Sequence, residues 1–325
     1  MARRNNTLQS PVQMIDPQDQ QITFDQAVKS FVLHNRARNL SPNSIEFYEY
    51  NLRYLQKVFI EQGIPLAFQT ITGKQIKHHF TGYMLDKGLA SNTVNGRLKS
   101  CKAFFSYLYE EKMIAHNIAE QFDLVIGEKK MIQTLTKEQV LHLLNQPDRK
   151  TFSGLRDYTL MMLLLETGMR IGECIALEVD DVNIKEGEVR IKLGKGRKAR
   201  RVPIQKTCIQ ILKNYLAERG ELETKSLFVN IDDNPLHRRT IQENIQEYGQ
   251  MAKITSARVS PHTFRHTMAK FYVINGGDIF TLQQILGHSS LEMVRYYVEL
   301  FSTDIHQQHQ KYSPVENMGL VRKAR

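Results

Sequence analysis

At 325 residues, 41% hydrophobic and 24% charged, the chain has the composition of a folded protein long enough for two ordinary domains. Its longest purely apolar run, residues 160–165, is far too short to span a bilayer, and Met1-Ala2-Arg3-Arg4-Asn5-Asn6 has charge with no apolar segment behind it; both exclude membrane and secretory classes and predict a soluble, cytoplasmic protein. The 44 Lys and Arg against 34 Asp and Glu, a net charge of +10, point to an anionic partner.

Residues 1–21 are polar, rich in Gln and Asn, and without periodicity, so they read as a flexible arm. From Ile22 the pattern turns helical, with Phe24, Ala27, Val28, Phe31 and Val32 at three- and four-residue spacing. Ser41 as N-cap and Pro42 at the first helical position then open a second helix carrying Ile45, Tyr48, Leu52, Leu55 and Phe59. A third helix is expected over residues 73–85 and a fourth over about 91–111, with Val94, Leu98, Cys101, Phe104, Phe105 and Leu108 inward. This gives a helical domain over residues 22–122, followed by a mixed stretch without a period, residues 123–134, as the linker.

Thr136 and Gln139 form a capping-box signature at the start of a second domain, residues 135–304. Helices are expected at 137–144 and 156–166, the latter apolar on nearly all sides and therefore buried, with Thr167-Gly168 ending it. Residues 186–193 and 200–203 alternate as strands, joined by Gly194-Lys195-Gly196-Arg197-Lys198. Helices follow at 207–218, 240–251, 261–274, 281–286 and 291–300, and residues 305–325 form a C-terminal tail. The fold class is mostly α with a small antiparallel β-sheet. Cys101, Cys174 and Cys208 are odd in number and scattered, so they should be reduced and buried, with neither a disulfide framework nor a zinc site.

Chemistry concentrates in the second domain, where Arg170, Lys195, His262, Arg265, His288 and Tyr297 occur in that order. Two arginines can clamp the non-bridging oxygens of a phosphodiester, and that clamp acts most strongly on the extra charge of a pentavalent transition state. Tyrosine supplies a covalent nucleophile, lysine or histidine can protonate the departing sugar oxygen, and histidine can take the phenol proton. The residues thus describe a DNA strand transferase. Glu173, three residues after Arg170, lies on the same helical face and can orient it. His262 and Arg265 project to one side of a helix opened by Ser260 and Pro261, whereas His266 lies at another angle and reads as structural. Lys198 and Arg200, in a crowd with Lys192, Arg197 and Arg201, read as phosphate contacts. No carboxylate cluster and no His/Cys set of ligand spacing calls for a metal.

The ordered phrases Thr167-Gly168-Met169-Arg170-Ile171-Gly172-Glu173, Gly194-Lys195-Gly196, His262-Thr263-Phe264-Arg265-His266 and Leu286-Gly287-His288-Ser289, with Tyr297 nine residues after His288, resemble the tyrosine recombinase (phage integrase) family over most of the chain. The resemblance implies a SAM-like core-binding domain ahead of a catalytic domain, with Lys195 as the catalytic lysine on its turn. In the first domain, Leu40-Ser41-Pro42-Asn43-Ser44 and Ser91-Asn92-Thr93-Val94-Asn95-Gly96-Arg97-Leu98 are similar to the family's DNA-facing helices. That similarity places Asn43, Ser44, Tyr48, Asn92, Asn95, Arg97 and Lys99 near the duplex.

The implied activity is site-specific recombination through a 3′-phosphotyrosyl intermediate and a Holliday junction, with no cofactor because the bond energy is kept in the adduct. The implied partners are double-stranded DNA and, on it, three further copies, a homo-tetramer that is monomeric or weakly associated when free; an accessory or directionality factor stays open. Met293 and Val294 stand where the family usually has threonines, and Tyr296 offers a second phenol, but the spacing from His288 favours Tyr297. The tail after Leu300 resembles the segment that family members pass to a neighbour. A type IB topoisomerase-like enzyme and an inactive DNA-binding regulator of the same fold are the alternatives.

Overall fold

The structure, a computed structural model, describes residues 22–127, 132–192, 199–287, 295, 297–299, 309 and 313–318. By its contacts the chain divides into two compact units, residues 1–130 and 131–325.

In the first unit, α1 (Phe24–Ala37) is opened by Thr23 and Gln26, each side chain bonding the other's backbone N–H, and α2 (Pro42–Glu61) by Ser41, whose hydroxyl accepts the Ser44 N–H at 3.2 Å. The third helical run departs from expectation. It begins as α3 (Gly73–Gln75), widens into a π-helical segment over Ile76–Gly82, and returns to α as α4 (Tyr83–Asp86). There the Thr81 hydroxyl donates to the Ile76 carbonyl at 3.1 Å, five residues back, and the widened register keeps both Ile76 and Phe80 in the core. The fourth long helix, α5 (Ser91–Glu110), lies against α2, where the buried Asn51 amide donates to Ser100 at 2.9 Å. Phe24, Phe31, Leu52, Phe59, Phe80, Leu98, Phe104 and Phe105 form the centre of this unit's core.

The second unit starts with α6 (Lys137–Leu144) and α7 (Phe152–Thr167). As its all-round apolar surface requires, Leu160, Met161, Leu163 and Leu164 are wholly buried, and α7 packs against α9 (Lys206–Arg219) and α11 (Pro261–Ile274). A short α8 (Ile171–Ile175) follows, then an antiparallel sheet in the order β1 (Val182–Asn183), β2 (Glu188–Ile191), β3 (Arg200–Pro203). Val189 opposes Val202 across β2 and β3, both facing the core, while Arg190 turns out to the Asp181 carboxylate at 3.0 Å. The two-residue β1 is too short to show alternation and was not expected. Beyond these lie α10 (Arg238–Met251) and α12 (Ile279–Leu286), the latter starting two residues early because Asp278 caps it, accepting the Thr281 N–H at 2.6 Å.

The three cysteines are buried and unpaired, and burial pushes the Cys208 thiol up to about 12, so none is poised to react. Among the described residues no helix is long and apolar enough to cross a membrane.

Candidate active site

Helix α7 ends on Gly168 in the left-handed conformation (φ +59°), where the chain turns into α8. A Cβ on Gly168 would sit 2.6 Å from Leu286 Cδ2 and 3.2 Å from Met268 Sδ, so the turn needs glycine both for its dihedral and for its space. Gly168→Ala should therefore lower the melting temperature by roughly 5–10 °C, from about 2–3 kcal/mol of backbone strain and overpacking, read by calorimetry.

The turn delivers Arg170 to the N-cap of α8. Its backbone N–H donates to Glu173 Oε2 at 2.9 Å and its guanidinium to Oε1 at 3.0 Å, leaving that guanidinium partly open to solvent. Arg200 grips the same carboxylate from β3, with Nη2 on Oε2 at 2.8 Å and Nη1 on Oε1 at 3.3 Å, and its Nε donates to the Ile285 carbonyl at 2.8 Å. Burial acts to raise the Glu173 carboxyl, but the Arg200 bonds and charge, with the Arg170 N–H and guanidinium, outweigh it and hold it below the usual carboxylate range. Arg200, expected on DNA, here braces Glu173, with Nε on the Ile285 carbonyl and both Nη atoms on the carboxylate.

Arg265 is 5% exposed and also bound to main chain: Nη1 donates to the Gly168 carbonyl at 2.6 Å and Nη2 to the Leu286 carbonyl at 2.9 Å. Those carbonyls stand at the C-terminal ends of α7 and α12, where helix dipoles favour a cation. Burial and then Arg170 lower its pKa to about 10, so it stays charged at neutral pH. One turn earlier, His262 is exposed; desolvation and the charges of Arg265, Arg238 and Arg170 all lower its pKa. Arg238, at the start of α10, is a further cation here that sequence reading passed over.

Tyr297 is 1% exposed, packed with Met268, Ala269, Val273, Leu282 and Leu286. Its hydroxyl lies 2.6 Å from Nδ1 of His266, the histidine read from sequence as structural. Burial, then His262 and Arg265, lower the His266 pKa to about 4, so the ring is neutral at physiological pH. Burial raises the phenol pKa of Tyr297 against the opposing pull of Arg265. The sequence reading that set His266 at another angle was wrong: its four-residue spacing from His262 returns it to nearly the same helical face, and that spacing was the available signal.

Arg170, Glu173, His262, Arg265 and Tyr297 are therefore brought within reach of one another's charge. Lys195, His288, Lys198 and Tyr296 lie outside the described residues. Of the expected DNA contacts in the first unit, Asn43, Asn92 and Lys99 are exposed. The others are occupied. Ser44 bonds Ser41 at 2.8 Å, Tyr48 packs against Phe31, and Asn95 is tied both ways to the Val125 backbone at 2.8 Å. Arg97 is buried and stacked on Tyr54, 3.3 Å from the ring centroid, with Nη1 unbonded. Among the described residues no three His, Cys, Asp or Glu gather as a metal would need.

Residues 133–303 match the Phage integrase family and residues 29–112 the Phage integrase N-terminal SAM-like domain. The tyrosine recombinase XerD of Staphylococcus haemolyticus is 33% identical over 282 residues, covering 85% of this chain and 94% of its own. Among solved structures, the Tn1549 transposon integrase in complex with a circular intermediate DNA superposes with a TM-score of 0.74 at 18% identity, covering 92% of this chain and all of that one. The XerH site-specific recombinase bound to a palindromic difH substrate gives 0.70 at 22%, covering 90% and 85%. With the two domain matches in tandem and a relative aligned over nearly its full length, the chain belongs to the phage integrase family of tyrosine-type site-specific DNA recombinases.

Proposed function

We propose that this chain recombines specific DNA sites by attack of Tyr297 on a phosphodiester held between Arg170 and Arg265. The observation that carries the reading is the convergence of two cationic arms, one fixed by Glu173 and one by main-chain carbonyls, near a buried phenol. Both arms are donors aimed without further ordering, and such donors act chiefly on charge that develops in the transition state. His262, exposed beside them, is suited to a phosphate oxygen, and Lys195 and His288 are assigned to leaving-group protonation and phosphate binding by their motifs alone.

Attack forms the Tyr297 Oη–P bond and breaks the P–O5′ bond, leaving a 3′-phosphotyrosyl link and a free 5′-hydroxyl. The 5′-hydroxyl of a partner duplex then reverses the step, and two rounds pass through a Holliday junction. Four strand exchanges need four active sites, hence four protomers on two duplexes. Asn43, Asn92 and Lys99 are the first-unit residues we assign to the duplex.

The test is a nicked suicide duplex carrying the flanking DNA, with covalent protein–DNA species resolved on a denaturing gel. We expect an adduct that persists in EDTA, because the chemistry needs no divalent ion; adduct formation that EDTA abolishes and magnesium restores would refute the mechanism. Tight binding without adduct would identify a regulator, and relaxation of supercoiled DNA without strand transfer a topoisomerase-like enzyme.

A further inference from the structure

We infer that His266 is the group that accepts the phenol proton of Tyr297 as the Oη–P bond forms, an inference that rests on Tyr297 being the nucleophile. The two groups already touch within the folded chain: Nδ1 lies 2.6 Å from the phenol oxygen, within the range for proton transfer between heavy atoms. His262, the motif histidine, stands a turn earlier on the same helix and is exposed to solvent.

The surroundings fit a base. His266 is neutral at physiological pH, kept so by burial and by the charges of His262 and Arg265 on its own helix, so a lone pair is available. With the proton on Nε2, Nδ1 accepts from the phenol, and the phenol of a buried tyrosine is a poor nucleophile until something takes that proton. A ring this reluctant to charge does not deprotonate the phenol at rest. Transfer awaits the phosphate, whose negative charge stabilises an imidazolium, so the nucleophile is unmasked only with DNA in place.

The proton balance closes over the cycle. In cleavage the Tyr297 O–H bond breaks, its proton moves to Nδ1, and the departing O5′ takes a different proton from a separate donor. In rejoining, the incoming 5′-hydroxyl returns its proton to that separate donor as its oxygen displaces the tyrosine oxygen, which recovers the proton from the His266 imidazolium. His266 ends each round neutral.

His266→Gln keeps a polar side chain without basicity, and it should bind duplex DNA as the wild type does while forming adduct about a hundredfold or more slowly. Placing a fluorinated, more acidic tyrosine at position 297 should restore a large part of that loss in His266→Gln and change the wild type little, since an acidic phenol needs less help. A substrate with sulfur at the 5′-bridging position, which departs without a proton, should leave the defect in place. Adduct formation at the wild-type rate in His266→Gln, no recovery with fluorotyrosine, or full rescue by the sulfur substrate would each overturn the assignment. Tyr297→Phe separates the two readings. If it abolishes a wild-type adduct that His266→Gln still forms at full rate, only the base is wrong; if it retains the adduct, nucleophile and base fall together.

Discussion

Tyr297→Phe should form no covalent adduct on a suicide duplex while binding that duplex with unchanged affinity. The substitution removes one oxygen from a side chain that is otherwise packed among Met268, Ala269, Val273, Leu282 and Leu286, so the ring keeps its place. Removing that oxygen breaks its bond to His266, and leaving Nδ1 without this partner costs about 1 kcal/mol. Folding therefore survives and chemistry does not, a combination that few substitutions offer. Tyr296→Phe should retain adduct formation, since adjacent residues on a helix point about 100° apart and only one phenol can meet the arginines. Peptide mapping that found the nucleotide on Tyr296 would refute the assignment.

Replacing either arginine should reduce cleavage at least about a thousandfold if, as proposed, each contributes charged donors to the transition state. The structure separates the two in every other respect. Arg170 is partly solvent-exposed, and after Arg170→Ala its partner Glu173 still has Arg200 on both oxygens, so the melting temperature should hardly move. Arg265 is buried, and Arg265→Ala leaves the Gly168 and Leu286 carbonyls without their donors and a void between two helix ends. Its melting temperature should fall by several degrees, about 2 kcal/mol or more of lost stability. Arg265→Lys tests the geometry: a point charge cannot span both carbonyls and a phosphate, so cleavage should remain low although charge is kept. Near-normal adduct formation by Arg170→Ala would take that residue out of the site, and equal melting temperatures for the two alanine variants would contradict the carbonyl anchoring.

Much of this fold and site is legible in the residues alone. Local rules suffice for Thr136 with Gln139, for Ser41 before Pro42, for the αL glycine after α7, and for Arg170 with Glu173 at three-residue spacing. What escaped depends on partners far along the chain. Arg200 looks like one more basic residue of a hairpin until α12, 85 residues later, presents the Ile285 carbonyl, and His266 gains its partner 31 residues on. The intrachain partners of Asn95 and Arg97, a backbone 30 residues away and the Tyr54 ring, are likewise not readable from their neighbours in sequence. The π-helical segment at Ile76–Gly82 was invisible for another reason: one extra residue per turn leaves no period that a segment so short can display.

The Arg265 guanidinium, the second arm of the proposed clamp, is held by the main chain, from carbonyls at the ends of α7 and α12. Peptide carbonyls are present whatever amino acid occupies a position, so ordinary substitution cannot remove this anchor; only moving a helix end can. A substitution at an exposed position such as Asn43, Asn92 or Lys99 leaves these two carbonyls and the guanidinium they hold untouched. The burden of constancy falls on Gly168 and Gly287, both at positive φ and both crowded where a Cβ would stand. In the proposed mechanism, target preference and bond-breaking geometry are thus set by different parts of the chain.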